Sequence, residues 1–308
     1  MVEAFVAVVE SGGFTRASAS LHLSQPALSR RIALLEHELG QPMFERGRSG
    51  ARLTDAGEAF LPHAQAALAC VRDGATAVRA LAKGDEGRLT LAIVGTLASS
   101  RLTARLARFR DAYPRLRLLL RTGSSAEVSG LVRRGEATLG LRYFADPAPD
   151  LVSREIDQEP MTVVAPAGHR FAGARRLPAR RLAGEPWVGF PPRRGAARDP
   201  FGHVLAQRLA AAGLDDAEIV VIDSLTAQKR LVESGFGLGL VPVTSVGEET
   251  ARGSLCVLDV PELRAQIDVV LVHRKGAFLG PAARRLIDEL VPGARRPRGA
   301  MASRRAVR

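Results

Sequence analysis

Three polar residues near Ser24 have the types and the spacing needed to contact the edges of nucleic-acid bases. Gln25, Ser29 and Arg30 fall together near the start of one predicted helix. Glutamine and arginine can each form two hydrogen bonds with one base, and serine can bond either a base or a phosphate oxygen. A helix that presents such residues at its N-terminal end is suited to enter the major groove of DNA.

The surrounding residues predict where this helix begins, ends and packs. Ser24 is the expected N-cap, and Pro26 stands in the first turn, where its missing N–H costs nothing. Gly40 is the residue type that favours the left-handed cap, so the helix is expected to end near Leu39. Its apolar residues recur at helical spacing and define one buried face: Leu28, Ile32, Leu35 and Leu39.

A short hairpin, or wing, is predicted directly after this helix. Residues 44–46 and 52–53 look like two extended arms, and residues 47–50 form the loop between them. Arginines at such a tip can reach a phosphate or the minor groove. The alternative, two amphipathic helices in an ordinary helical core, does not account for a capped, proline-started helix followed by a hairpin. The predicted DNA-contacting residues are Gln25, Pro26, Ser29, Arg30, Arg48 and Arg52.

A second group of residues is suited to bind a small anion. Thr96 and Ser99 follow a predicted strand and open a helix, while Ser125 and Ser224 are each expected to cap a later helix. Free N–H groups at helix N-termini carry partial positive charge, and Arg142, near the end of another strand, adds a full charge. If these groups converge on one cleft, they favour a small carboxylate. In the alternative interpretation each serine only caps its own helix.

The chain from residue 88 onward alternates between predicted strands and helices, which is typical of a parallel α/β sheet whose ligands bind beyond the carboxyl ends of the strands. A glycine-rich run at 235–239 follows a helix and precedes a strand, the reverse of the order in dinucleotide-binding loops. The predicted strands are 88–94, 116–121, 138–143, one starting near Met161, 218–222, 239–241 and 267–273. The predicted helices in this part are 99–112, 125–134, 201–212, 225–234 and 281–290.

A long helix is predicted to begin at Thr54 and to end near Ala82. Small and apolar residues repeat along it at intervals of three and four, which is the pattern of a coiled-coil seam and implies a partner helix. The seam residues are Leu61, Ala64, Leu68, Val71, Ala75, Val78 and Ala82.

Charge and composition exclude several classes of protein. The chain of 308 residues carries a net charge of +12, but six arginines lie in residues 291–308, a basic tail that we expect to be disordered. Two cysteines give neither metal-ligand spacing nor a disulfide framework, and no cofactor, metal site or catalytic residue is predicted. No membrane span or signal peptide is visible, which predicts a cytoplasmic protein.

The N-terminal motifs resemble the winged helix-turn-helix of LysR-type transcriptional regulators. The matching residues are 14–17 (FTRA), 24–40 (SQPALSRRIALLEHELG), 44–46 (FER) and 53–57 (LTDAG), and a weaker likeness continues to about Leu290. One departure is that the first helix, predicted at 2–9, begins almost at Met1, where family members usually carry several further residues.

The resemblance implies a multidomain fold: an all-α winged helix-turn-helix, a long linker helix, and a two-lobed α/β domain like type 2 periplasmic binding proteins. The expected bounds are 1–57 for the DNA-binding domain, 58–86 for the linker or dimerisation helix and 87–290 for the effector-binding domain. Within the latter, lobe I spans about 87–160 and 267–290, and lobe II about 161–266.

The implied function is a transcriptional regulator that binds double-stranded promoter or operator DNA as a homodimer or homotetramer and responds to a small effector. RNA polymerase is an expected further partner. Two alternatives remain at this point. One is an enzyme built on the same α/β lobes, and the other is a DNA-binding domain joined to a dimerisation module that binds no ligand.

Overall fold

The computed structural model describes residues 1–45, 51–83, 87–98, 100–190 and 200–291. The N-terminal part is helical. Its helices are α1 (Val2–Ser11), α2 (Phe14–Ser20), α3 (Gln25–Leu39) and α4 (Asp55–Lys83). The sequence predicted α1, α3 and α4 to within about two residues at either end.

Local chemistry accounts for the ends of α3. The Ser24 hydroxyl accepts a hydrogen bond from the backbone N–H of Ala27 at 3.3 Å, and Gly40 adopts φ 70°, a left-handed conformation. Leu28, Ile32 and Leu35 are buried in a core that belongs to residues 4–64. The prediction that Leu39 joins this face is wrong, because its position in the last turn leaves it 43% exposed.

Gly57 lets α4 approach the chain that leaves α3. A Cβ atom at this position would lie 2.2 Å from the carbonyl oxygen of Met43. Thr54 holds the same junction: its hydroxyl donates to the Pro42 carbonyl at 2.6 Å and accepts from the Gly57 N–H at 3.1 Å. The start of α4 is therefore fixed against the N-terminal core by close backbone packing.

The rest of the chain forms one mixed sheet flanked by helices, in the strand order β2-β1-β3-β9-β4-β7-β5-β6, with β8 paired to β4. The strands are β1 (Gly87–Val94), β2 (Leu116–Gly123), β3 (Leu139–Tyr143), β4 (Leu151–Pro166), β5 (Trp187–Gly189), β6 (Ile219–Val221), β7 (Leu238–Pro242), β8 (Leu255–Leu258) and β9 (Ala265–Arg274). The helices are α5 (Ser100–Ala112), α6 (Ser125–Arg133), α7 (Pro200–Ala211), α8 (Leu225–Glu233), α9 (Gly247–Arg252) and α10 (Pro281–Leu290).

Two long strands divide this sheet into two lobes. Lobe I contains β1–β3 with α5, α6 and α10, and lobe II contains β5–β8 with α7–α9. Strands β4 and β9 run antiparallel to each other from Leu151–Arg274 to Met161–Ala265 and so cross from one lobe to the other. The two-lobed α/β fold is as predicted. The expected parallel pairing is present within each lobe, but the sheet as a whole is mixed, because both crossing strands pair antiparallel with their neighbours.

Three features of the α/β part were missed or misplaced by the sequence patterns. Strand β4 begins ten residues before Met161, and α9 and β8 were not predicted at all. The early part of β4 is only partly buried and carries several polar residues. It therefore lacks the apolar run from which a strand is predicted. The exact domain bounds stay a prediction, and residues 292–308 lie outside the described part of the chain.

The close approach at Gly57 gives a testable consequence for stability. Gly57→Ala should destabilise the protein by roughly 1–3 kcal/mol, because the added methyl group meets the Met43 carbonyl. Gly74→Ala is the matched control, since Gly74 lies in the same helix with open space around it. There alanine should stabilise by about 0.5–1 kcal/mol. Urea unfolding followed by circular dichroism measures both, and stabilisation by Gly57→Ala would contradict the packing argument.

Candidate functional site: nucleic-acid interface and interlobe cleft

One side of α3 is exposed and polar while the other is buried. Gln25, Pro26, Ser29 and Arg30 are all exposed at the N-terminal end of the helix, as their predicted role requires. Pro26 contributes no N–H to the first turn, Ser24 accepts the N–H groups of Ala27 and Leu28, and the Gln25 N–H is left without a partner inside the helix. The helix thus presents hydrogen-bonding side chains and a partial positive charge on the same surface.

An aromatic cluster packs in the N-terminal core, on the buried side of α3. The ring of Phe44 lies 5.4 Å from that of Phe5 in α1 and 5.5 Å from that of Phe14 in α2, measured between centroids. The Glu36 carboxylate on α3 accepts the backbone N–H of Met43 at 2.7 Å. The position of α3 relative to the following segment is therefore set by burial and by a hydrogen bond from its inner side.

The described ends of the predicted wing are paired. Phe44 and Leu53 form an antiparallel bridge, and the N–H of Glu45 donates to the carbonyl of Arg52 at 2.8 Å. Arg52 is exposed and lies 3.6 Å from the Glu45 carboxylate. The loop with Arg48 lies outside the described residues, so its predicted DNA contact stays a prediction.

A cleft of about 980 Å³ lies between the two lobes at the carboxyl ends of β1 and β2 and at the starts of α6 and α8. Hydroxyl groups line both of its walls: Thr96, Thr122 and Ser124 in lobe I, and Ser224, Thr226, Thr244 and Ser245 in lobe II. A cleft of this size can enclose a drug-sized metabolite. Its position is the one expected for ligands of open α/β sheets.

The structure brings only some of the predicted effector residues to this cleft. Thr96 lines it and bonds the buried Tyr143 hydroxyl at 3.1 Å, and Ser224 lines it while capping α8 through the N–H of Ala227 at 3.4 Å. Ser99 lies outside the described residues. The prediction that Ser125 caps α6 is wrong: Ser124 is the cap.

Ser124 replaces Ser125 because it sits one residue earlier, at the extended position just before the helix. Its hydroxyl accepts the Glu127 N–H at 3.4 Å, and the Glu127 carboxylate accepts the Ser124 N–H at 2.7 Å, a reciprocal capping box. Ser125 is the first helical residue and is fully buried, with its hydroxyl unpaired within the described part of the chain. The sequence signal for Ser124 was the glutamate three residues later.

Arg142 is not on the described lining of the cleft. It is 5% exposed, forms an ion pair with Asp146, and donates to the Ser129 hydroxyl at 2.7 Å. Burial alone would raise the pKa of Asp146, but hydrogen bonds to Ser129 and the backbone, together with nearby arginines, outweigh it and hold that pKa below its ordinary value. The Arg142 charge is thus compensated inside lobe I, which corrects its expected place in the cleft.

Among the described residues that line the cleft, the positively charged side chain is that of Lys229, which sequence reasoning missed. Lys229 lies 2.7 Å from the buried Glu249 carboxylate and donates to the Ser245 carbonyl at 2.7 Å. Burial opposes ionisation of Glu249, but its bond to Lys229 outweighs this and lowers the Glu249 pKa. No spacing pattern could have revealed the pair, because Glu249 belongs to α9, which was not predicted.

Comparison with known proteins adds two family models that together span most of the chain. Residues 1–58 match the bacterial regulatory helix-turn-helix protein of the lysR family, and residues 82–295 match the LysR substrate binding domain. The chain belongs to the LysR family of transcriptional regulators. The likeness predicted from its N-terminal motifs is therefore confirmed.

Individual relatives of this LysR-family chain extend over nearly its full length. The HTH-type transcriptional regulator SsuR of Burkholderia cenocepacia is 30% identical and aligns with 93% of this chain and 92% of its own. Full-length CbnR in complex with its target DNA is 25% identical with a TM-score of 0.62, covering 94% of this chain and 97% of its own. A full-length OxyR variant from Pseudomonas aeruginosa, 22% identical, shares the fold with a TM-score of 0.67 over 94% and 91% of the two chains.

The described residues of this LysR-family protein contain neither a metal-binding cluster nor a membrane-spanning helix. No group of three or more His, Cys, Asp or Glu side chains is arranged there to hold a metal ion. No helix in the described ranges has the length and apolar character required to cross a membrane.

The Arg142–Asp146 pair gives a pH-dependent prediction. Asp146→Asn should destabilise the protein at pH 7 by roughly 2–3 kcal/mol, because Arg142 would lose its buried counter-charge. The lowered pKa means that the carboxylate stabilises the fold above about pH 4, and that this contribution is lost as the pH falls through the folded-state pKa. In urea unfolding, the gap to wild type should therefore shrink by pH 3.

Asp150→Asn is the control for this experiment. Arg133 forms ion pairs with both Asp146 and Asp150, but Asp150 is 53% exposed and does not contact Arg142 in the described ion pairs. Its substitution should cost under about 1 kcal/mol. A stability gap for Asp146→Asn that stays constant between pH 7 and pH 3 would contradict the assignment.

Proposed function

We propose that this LysR-type protein regulates transcription by binding double-stranded promoter or operator DNA with α3 and the wing, and that a small molecule in the interlobe cleft modulates this binding. The exposed polar face at the start of α3, opposite a buried apolar face, carries the proposal. The CbnR complex with target DNA supports it by family likeness. Sequencing the duplexes that the purified protein recovers from a random library tests it, and recovery without any sequence preference would contradict it.

Base reading and backbone contact are assigned to different parts of the N-terminal domain. Gln25 and Arg30 stand on α3 and suit base edges, whereas Arg52 stands on the hairpin and suits a phosphate. Arg30→Ala or Gln25→Ala should each weaken binding to the selected duplex by about 1–3 kcal/mol and relax its sequence preference.

Arg52→Ala is the comparison that separates the two roles. It should weaken binding to selected and random duplexes alike and should reduce the slope of log affinity against log salt by about one. Fluorescence anisotropy at several salt concentrations measures both effects. An equal loss on selected and random duplexes for Arg30→Ala would remove base reading from that residue.

The exposed face of α4 supports assembly into a homodimer, from which a tetramer can form. Val71 is 72% and Val78 is 68% exposed on the same side of this helix, along the predicted seam. Branched apolar side chains left in water on one long helix favour burial against a second copy.

Val71→Asp should disrupt the dimer, because it places a charge at the centre of that helix contact. Ala66→Asp is the matched control, since Ala66 is exposed on α4 but points roughly 140° away from Val71. Sedimentation velocity should show monomers for Val71→Asp and unchanged dimers for Ala66→Asp. Dimers in both would place the contact elsewhere.

The effector is proposed to be a small carboxylate. Two helix N-termini, those of α6 at Ser124 and α8 at Ser224, open onto the cleft from opposite lobes, and hydroxyl groups line both of its walls. The acids on the described lining, Glu127, Asp223, Glu248 and Glu249, restrict the anion to positions near these N–H and hydroxyl groups. A ligand that contacts both lobes alters DNA binding only if it favours one lobe angle.

Two substitutions at Ser224 isolate the charge of the ligand. Asparagine and aspartate both cap helices well and have nearly the same shape, so only the added charge distinguishes them. Ser224→Asp should weaken binding of an anionic effector at least about tenfold relative to Ser224→Asn, measured by calorimetry with a carboxylate found in a thermal-shift screen. Equal affinities in the two variants would contradict the proposal of an anionic effector. If the thermal-shift screen finds no ligand, a dimerisation module that binds no ligand is favoured.

The proposed action depends on binding rather than on catalysis. The relatives SsuR and TfdS are HTH-type transcriptional regulators, and no observation among the described residues of the cleft favours an enzyme. We expect the protein to act in the cytoplasm, with the chromosomal DNA, where RNA polymerase is the expected partner at the promoter. An activity assay that showed turnover of a cleft ligand would contradict this part of the proposal.

A further inference from the structure

Helix α4 is joined to lobe I by a charged contact. The Asp73 carboxylate on α4 accepts a hydrogen bond from the Arg274 guanidinium at 2.6 Å and one from the backbone N–H of Phe278 at 3.2 Å. The Arg274 side chain is 11% exposed and that of Asp73 is 24% exposed, so both groups are largely shielded from water. Charges in such a place need each other, because water no longer stabilises them separately.

A second, closely packed contact lies beside the first. Gly135, with φ +67°, approaches α4 so closely that a Cβ atom there would lie 3.0 Å from the Cβ of Ala69. Arg72 donates to the carbonyl of Arg134, and the Arg134 side chain lies 3.4 Å from the Glu10 carboxylate of α1. Together with the Asp73–Arg274 ion pair, these interactions form what we term the α4–lobe I contact.

Arg274 links this contact to the two strands that cross between the lobes. Arg274 is the last residue of β9 and pairs in register with Leu151, the first residue of β4. The opposite ends of the same two strands lie beside lobe II. There Met161 of β4 pairs with Ala265 of β9 and, on its other side, with Pro242 of β7. The α4–lobe I contact is therefore attached to one end of the two-stranded ribbon that connects the lobes.

The contact leaves the apolar side of α4 free for a partner helix. Ala69, Arg72 and Asp73 face lobe I, whereas Val71 and Val78 are exposed in water. At about 100° per residue, the mean directions of the two faces lie roughly 165° apart around the helix axis. One helix can thus hold lobe I on one face and a second subunit on another.

We propose that Asp73 and Arg274 are positioning residues that fix α4, and with it the N-terminal helices, to the end of the lobe-crossing ribbon. A change in the angle between the lobes then moves the DNA-binding helices through Arg274 and Asp73. This role in DNA binding rests on the function proposed above. The coupling is a contact between two specific charged groups and can be removed without altering α3, the wing or the cleft.

The first test is a double-mutant cycle on the full-length protein with Asp73→Asn, Arg274→Gln and both together. The effects of the two single substitutions on the unfolding equilibrium constant should be non-additive by at least about tenfold. Hydrogen exchange should accelerate at the amides of 69–78 and 274–278 in Asp73→Asn. Asp111→Asn, the same change at an ion-paired but 68% exposed site in α5, should leave exchange in those segments unchanged.

The second test separates a positioning role from a structural one. On a duplex selected by the wild-type protein, Asp73→Asn should change the dissociation constant at least about fivefold, although every predicted DNA-contacting residue is intact. Additive substitutions with unchanged exchange would overturn the contact itself. Coupling without any change in DNA affinity would overturn the positioning role, whereas the absence of a selectable duplex would overturn the proposed function instead.

Discussion

The antiparallel pairing of β4 with β9 is the interaction on which the rest of the α/β architecture depends. In the strand order, this pair is the link between the strands of lobe I and those of lobe II. Its register shifts between Glu155 and Asp157, which leaves Ile156 as an extra residue in β4. Such a bulge bends a strand locally, so it marks a place where the angle between the lobes can be set. The two lobes are joined by these two strands, and the space that remains between the lobes is the cleft.

Three positively charged side chains inside the protein are paired with carboxylates. These ion pairs hold segments of the fold together and leave the charges little capacity to bind a ligand. Arg142 is neutralised by Asp146 within lobe I, Lys229 by Glu249 beside the cleft, and Arg274 by Asp73 at the linker helix. A buried charge requires its partner, because leaving it alone costs several kcal/mol. A guanidinium in that state has little capacity left for a ligand. For this reason hydroxyls and helix N-termini, rather than Arg142, remain the best candidates for contacting an effector.

In the N-terminal domain, the local sequence signals for the helix ends agree with the way the helices pack. Ser24 begins α3, Gly40 ends it, and the aromatic rings around Phe44 hold its inner face. Gly57 then allows α4 to start against the Met43 carbonyl. Because each local choice fits the packed arrangement, the outer face of α3 is presented in one orientation, which sequence-specific contact requires.

The sequence alone determined the helix that presents Gln25 and Arg30, its cap at Ser24, the alternation of strands and helices, and the membership of the family. These features depend on local propensity, on periodicity and on dense short motifs, which neighbouring residues encode. Only the tertiary structure decided that Arg142 is buried beside Asp146 and that Asp73 meets Arg274. The partners in the last pair are separated by 201 residues in the chain. Their contact depends on how β9 passes through the sheet, and no spacing pattern carries that information.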